Sequence, residues 1–335
     1  MSKKWRLTLK RILWAFLPAT LVLSGGVVLL SFYLIHRITH PPLTQLYGSP
    51  RDFEIILQKP MWSEEKWKNW DSTETVGWFL SRGKPAPAIV LSHGYGSNRS
   101  DLLTLSFELW KAGYNVLVYD LRGHGESPVK WSGLGTYEKD DLLSAIRFLR
   151  NMKTDDKQDM VDGRFGLYGV DVGGYISLIA SSQDPGVKAV AVDSVYTNVN
   201  RFINARLRAM VGPDSGWANR ALDSPWTSRL TDLAMQVYLL RQEDHSPAEE
   251  AIRGASGRRL CFITDTSKDL FNNMTRDLYA KAKDTKELIE VPQTRRERLY
   301  VKSSTDYDSK VVAFFKNALP LSQEKSKLLA TASRK

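Results

Sequence analysis

Tyr168-Gly169-Val170-Asp171-Val172-Gly173-Gly174 is the stretch whose reading decides the fold. The run Arg164-Phe165-Gly166-Leu167-Tyr168 leads into it and predicts a buried strand, and Tyr175–Ala180 after it predicts a helix. Strand, glycine-bounded tight turn and helix form the context in which G-x-S-x-G makes a nucleophile elbow. Glycine suits such a turn because the backbone is strained and the helix must pack close to the strand. The middle residue is Asp171 where that pattern has serine, and this exchange governs everything functional that follows.

Working outward, short apolar runs alternate with helical stretches. Phe53–Leu57, Thr75–Leu80, Ala88–Leu91 and Val116–Tyr119 read as strands on the amino-terminal side, with helices at Asp101–Lys111 and Glu138–Arg150. Ala189–Val192, Leu260–Ile263 and Leu288–Val291 read as strands on the other side, and Asp308–Ala318 as the closing helix. This alternation predicts an α/β fold: a mainly parallel, doubly wound sheet with helices on both faces. Trp62, Trp67 and Trp70 fall in a charged stretch that reads as a loop, with its indoles expected to pack over the sheet edge and an exposed interaction patch as the alternative. Residues 195–244 break the alternation; they are polar, rich in Arg and Trp, and predicted helical in pieces. In a sheet of this kind such an insertion is expected over the carboxyl ends of the strands, where ligands bind, with a lid as the functional reading and a plain helical packing insert as the alternative.

Residues 12–35 carry no charge, and 24 residues at about 1.5 Å each span a hydrocarbon core of about 30 Å. Pro18, Gly25 and Gly26 are tolerated in membrane spans. The run is longer than the apolar region of a cleaved signal peptide and has no clear small-residue cleavage site, so an uncleaved single-pass anchor is expected. Lys3, Lys4, Arg6, Lys10 and Arg11 precede it, and Arg37 alone follows soon after. That asymmetry predicts a cytoplasmic tail at 1–11 and an extracytoplasmic domain over 51–319, and Pro41, Pro42, Gly48 and Pro50 mark 36–50 as a short extended linker between them. Residues 320–335 read as a basic, disordered tail.

The 335 residues are 42% apolar and 25% charged, enough for a sizeable core. The net charge of +10 is concentrated in the tails, +5 in residues 1–11 and +3 in residues 320–335. A nearly neutral body without a basic, aromatic-interleaved stripe argues against nucleic-acid binding. Cys261 is the single cysteine, in an apolar run, so it reads as a core residue and leaves no intramolecular disulfide or Cys-based zinc motif. No cofactor and no metal are expected.

Two further motifs join the elbow. His93-Gly94-Tyr95-Gly96 follows a predicted strand, and Asp120-Leu121-Arg122-Gly123-His124-Gly125-Glu126-Ser127 follows the next. Together the three resemble the α/β-hydrolase family over about residues 50–320, and are most similar to its serine esterase and peptidase-like branch with an amino-terminal membrane anchor. The resemblance implies an oxyanion hole from the N–H groups of Tyr95 and Val172. It implies a triad acid after Leu260–Ile263, with Asp269 as first choice and Asp265 as second. It also implies a histidine after the last strand, and there the sequence departs: Arg296 stands about where the histidine belongs.

The last histidine in the chain is His245, which precedes the acid strand and cannot complete the order nucleophile, acid, His. His36 and His40 lie at the membrane boundary, and His93 and His124 sit in the two turns. Arginine has no lone pair to accept a proton at neutral pH. In the dehalogenase and epoxide-hydrolase branches an elbow aspartate is the nucleophile, but the ester it forms still needs a His-activated water. The expectation is therefore a catalytically degenerate site in which Asp171 pairs with Arg296, serving an unidentified small-molecule or protein ligand. An active hydrolase, of the esterase or peptidase type or with Asp171 as nucleophile on esters, epoxides or halides, is the alternative.

Overall fold

The computed structural model describes residues 3–53, 61–212, 215–239, 247–254, 257–266, 269–283, 285–292 and 305–321. They fall into two compact units. One holds α1 (Lys3–Thr39) to Ile38 and the segment that starts at Arg206; the other holds the rest, from Thr39.

The larger unit is built on one sheet of β1 (Met61–Lys68), β2 (Glu74–Ser81), β3 (Ala86–Ser92), β4 (Asn115–Tyr119), β5 (Val161–Val170), β6 (Val187–Asp193), β7 (Arg259–Asp265) and β8 (Lys286–Val291). Its order is β1-β2-β4-β3-β5-β6-β7-β8. β1 and β2 pair antiparallel, β2 runs antiparallel to β4, and every pairing from β4 to β8 is parallel. β3, β4 and the second half of β5 are buried on both faces, which is why they read as continuous apolar runs.

Helices α2 (Leu103–Lys111), α3 (Glu138–Asn151), α4 (Val172–Gln183), α9 (Leu270–Lys281) and α10 (Thr305–Ala318) connect or follow the strands. α10 and α2 share a core with β3 and β4 through Phe314, Phe315, Leu105 and Leu109. Gly166 lets Phe315 lie on the sheet, since a Cβ there would sit 2.8 Å from its ring. Cys261 is buried in the same core, and burial raises its thiol pKa, as its apolar neighbours in sequence suggest. Between β6 and β7 the chain inserts α5 (Val199–Val211), α6 (Gly216–Leu222), α7 (Pro225–Leu239) and α8 (Pro247–Arg253).

Three expectations are corrected. The tryptophan stretch is not a loop: Trp62 and Trp67 lie in strand β1, and Trp70 follows in its turn. Trp67 is buried and stacks 5.1 Å from the Phe148 ring, while Trp70 stacks on Tyr137. Phe53 belongs to a short 3-10 turn, Pro50–Phe53, and residues 54–57 of that expected strand lie outside the described residues. The first helix continues through Thr39, so His36–Thr39 are helical and not linker. Its stretch Trp14–Thr39 is long and apolar enough to cross a membrane.

Candidate active site at the elbow

Asp171 sits between β5 and α4 with φ 54° and ψ −110°, a conformation that L side chains adopt only under constraint. Its N–H bonds the Asp193 carbonyl at 2.9 Å, and its carbonyl accepts from the Tyr175 N–H at 3.0 Å. The flanking glycines are dictated by packing. A Cβ at Gly169 would overlap the Gly173 carbonyl, and one at Gly173 would overlap the backbone of Ser92 and His93. The elbow pattern is thus kept in geometry while its central residue is a carboxylate, buried with the rest of the turn.

The loop after β3 lies against it. A Cβ at Gly94 would come 3.5 Å from the Asp171 Cβ, so the His93–Gly96 turn and the elbow are in contact. Tyr95 is the next residue of that turn, and Val172 is the first residue of α4. Val172 thus adjoins Asp171 in the chain, and Tyr95 follows the Gly94 that lies against it.

His93 is not disposed as a general base. The His93 Nε2 accepts the Leu121 N–H at 3.0 Å, so it carries the lone pair and the proton is on Nδ1, donated to the Gly94 carbonyl at 2.8 Å. Both ring nitrogens are committed to backbone, and burial pushes the imidazole down to about 4. His124 turns Nδ1 to the Arg122 carbonyl at 2.9 Å and packs edge-on against the rings of His93 and Tyr95. They tie the two turns together. His245 and Arg296 lie outside the described residues.

The two acid candidates differ in occupation. Asp269 is the N-cap of α9 and accepts the Asn272 N–H at 2.7 Å. Asp265 ends β7, is buried, and accepts the Asn272 side-chain amide at 2.6 Å. Asn272 thereby joins the two acids, one through its backbone and one through its side chain.

The sequence reading missed a third acid. Asp193 ends β6 and is fully buried; Tyr307 at the start of α10 donates to its Oδ2 at 2.6 Å, and Ser194 donates to Oδ1 at 2.8 Å. Tyr307 spends its proton on Asp193, so Tyr168 is the donor in the 2.8 Å bond between the two phenols. Asp193 also supplies the carbonyl that holds Asp171, which sets this network directly behind the elbow. A usable signal existed: Asp120, Asp171, Asp193 and Asp265 each stand at the carboxyl end of an apolar run.

A second missed residue is Arg99. It is buried, pairs with Asp120 and Glu126, and lies 4.4 Å from the Trp78 ring centroid, strapping the turn after β3 to the turn after β4. Arg122, in the turn after β4, ties that turn to α3, gripping Asp141 through two nitrogens at 2.5 and 2.6 Å. An aromatic group surrounds the region: Tyr175 stacks on Tyr196 at 4.4 Å, and Phe202 meets Tyr95, Tyr196 and Phe271. Tyr175, Tyr196, Phe202 and Phe271 are all buried. Among the described residues no group of His, Cys, Asp and Glu has the arrangement of a metal site.

Comparison with known proteins places this geometry. The sequence profile of the X-Pro dipeptidyl-peptidase (S15) family matches residues 80–316. YqkD of Bacillus subtilis is 31% identical over 123 residues, covering 36% of this chain and 38% of that one. YfhR of Escherichia coli K12 is 29% identical over 200 residues, covering 57% of this chain and 64% of that one. The chain thus spans less than two thirds of the length of these relatives. Among solved structures, the Pyrococcus furiosus esterase Pf2001 superposes with a TM-score of 0.61 at 19% identity, over 84% of this chain and 99% of that one. An enol-lactonase from Burkholderia xenovorans superposes with a TM-score of 0.52 at 18% identity, over 75% and 100%.

Proposed function

The chain belongs to the X-Pro dipeptidyl-peptidase (S15) family of α/β-hydrolase-fold proteins, and from that premise we propose that it is a member without hydrolytic turnover. In this reading it is held in the cell membrane by α1 as an uncleaved single-pass anchor, with its main domain extracytoplasmic. Its site binds a small-molecule or protein ligand. One observation carries the proposal: the elbow holds a buried Asp171, both ring nitrogens of His93 beside it are bonded to backbone, and no histidine follows residue 245 to stand where the family's base would. A hydrolase needs a base that takes and returns a proton at the reacting atom, and this chain has no candidate in the family's position.

A buried carboxylate must be compensated by hydrogen bonds or an opposite charge. The amino end of α4 contributes part of that. Arg296 is proposed to contribute the rest, standing where the family's histidine would, with Asp269 or Asp265 as its second carboxylate. The retained elbow strain at Asp171 favours a second reading, in which Asp171 still attacks an electrophilic carbon and forms an ester that is not released.

The deciding experiment incubates the full chain in detergent with a p-nitrophenyl ester, an X-Pro p-nitroanilide and a terminal epoxide, beside an Asp171→Asn variant. Intact mass is recorded for both. No turnover and no adduct is the expected result. An adduct on the parent alone supports the stranded-nucleophile reading, and sustained turnover abolished in the variant overturns the proposal.

A further inference from the structure

The segment inserted between β6 and β7 carries an apolar surface that the site chemistry does not use. Along α7, Trp226, Leu230, Leu233 and Val237 recur at i, i+4, i+7 and i+11, so they line one stripe of the helix. Their exposures are 72, 39, 58 and 50%. This stripe is separate from the buried positions of the same helix, Thr231, Ala234 and Met235, which lie about a third of a turn away. Arg229 and Gln236 are exposed on a further face. α6 adds an exposed Trp217, and the end of α5 adds Met210 and Val211. Apolar side chains in this register and number mark a surface that something covers.

Three observations select a lipid bilayer as the cover. The unit that contains α6 and α7 also contains α1, with its apolar stretch Trp14–Thr39. The residues are those of a membrane interface: tryptophans at the starts of α6 and α7, and the Arg229 guanidinium 5.6 Å from the Trp226 ring centroid. Residues 199–239 carry five arginines against three aspartates, a balance suited to anionic headgroups. We propose that α6 and α7 form an interfacial membrane-binding surface. α7 lies in the plane of the bilayer with Trp226, Leu230, Leu233 and Val237 at the boundary between headgroups and acyl chains. The inference rests on the reading of α1 as a retained span in that same bilayer.

The test uses the full chain in phosphatidylcholine–phosphatidylglycerol vesicles in which a fraction of the lipid carries a nitroxide at acyl carbon 5. Single variants Leu230→Cys, Leu233→Cys and Gln236→Cys, with Asp156→Cys as a surface control, are labelled with an environment-sensitive fluorophore. Cys261 is buried and stays unlabelled in the folded protein. Nitroxide quenching at 230 and 233 is expected to exceed that at 236 and 156 at least twofold, with the order reversed for aqueous iodide. Iodide access at 230 and 233 equal to that at 236 overturns the proposal. Shielding from both quenchers also overturns it, because a second copy of the chain then covers the stripe. Alkaline carbonate extraction of the same vesicles reports on α1 separately. Release of the protein removes the anchor and this inference with it, whereas retention with an iodide-accessible stripe removes this inference alone.

Discussion

His93 shows how a single residue can be removed from catalysis by its surroundings. Its Nε2 receives the Leu121 N–H and its Nδ1–H is spent on the Gly94 carbonyl, an arrangement available only to the neutral ring. Burial pushes its pKa from 6.5 to about 4, so between those values the unfolded chain binds a proton that the native one refuses. Stability from this residue is therefore complete above pH 6.5 and is lost as pH falls toward 4, worth about 3 kcal/mol in total. Urea unfolding at pH 4, 5, 6 and 7 should show His93→Gln with a shallower pH slope than the parent, whatever its absolute stability. Parallel slopes would show that His93 is not the linked group. The proposed Asp171–Arg296 pair has its own test in a double-mutant cycle. Asp171→Asn and Arg296→Gln should each lower stability by about 3–5 kcal/mol, and the double variant should lose far less than their sum. Additive losses would separate the two residues.

At the scale of elements, the turns after β3 and β4 are held by the Arg99–Asp120 ion pair, which the chain buries between them, with the half-exposed Glu126 as a second partner of Arg99. Arg99 reaches from one turn to Asp120 and Glu126 in the other, with the Trp78 ring beneath it. Arg99→Met should lower stability by about 3–5 kcal/mol in urea, because Asp120 is left buried without its cation. Adding Asp120→Leu should recover part of that loss. The role of Arg99 was not legible in the sequence, since nothing local in Asn98-Arg99-Ser100 distinguishes a buried arginine from an exposed one. β3 to β7 were legible because burial on both faces leaves apolar runs. β1 was not: Met61–Lys68 is an edge strand with one neighbour, largely wet, and its Glu and Lys residues serve an edge while reading as a loop. The elbow was legible because close packing forces glycine at 169 and 173. The Asp193–Tyr307–Tyr168 network was not, because the Asp193–Tyr307 bond joins residues 114 apart in sequence and only the sheet order brings them together. Tyr307→Phe should lower stability by about 1–3 kcal/mol through the donor it withdraws from Asp193. A neutral result would show that Ser194 and the surrounding backbone suffice.

The whole molecule joins a sheet domain of known family to an apolar amino-terminal helix, and the two make opposite demands on solvent. The apolar helix is exposed from Trp14 through Leu30 and is buried only near its carboxyl end, at Ile35, Ile38 and Thr39, so most of its apolar surface has no core to enter. Either a bilayer takes it or processing removes it, and the two outcomes differ in mass and in partition. A retained span predicts that protein from membranes has the full length encoded by the 335 residues, with an epitope placed before Ser2 still attached. It also predicts that alkaline carbonate leaves the protein in the pellet while detergent releases it, and that protease added to spheroplasts cleaves the main domain. A cleaved leader predicts a shorter protein without the epitope, recovered in the carbonate supernatant. The five basic residues before the span predict the orientation, so if the proposed outward topology holds, replacing Lys3, Lys4 and Arg6 by Gln should reduce the fraction that is protease-accessible from outside. If that fraction stays constant, the orientation is set by the folded domain behind the helix and not by the charges in front of it.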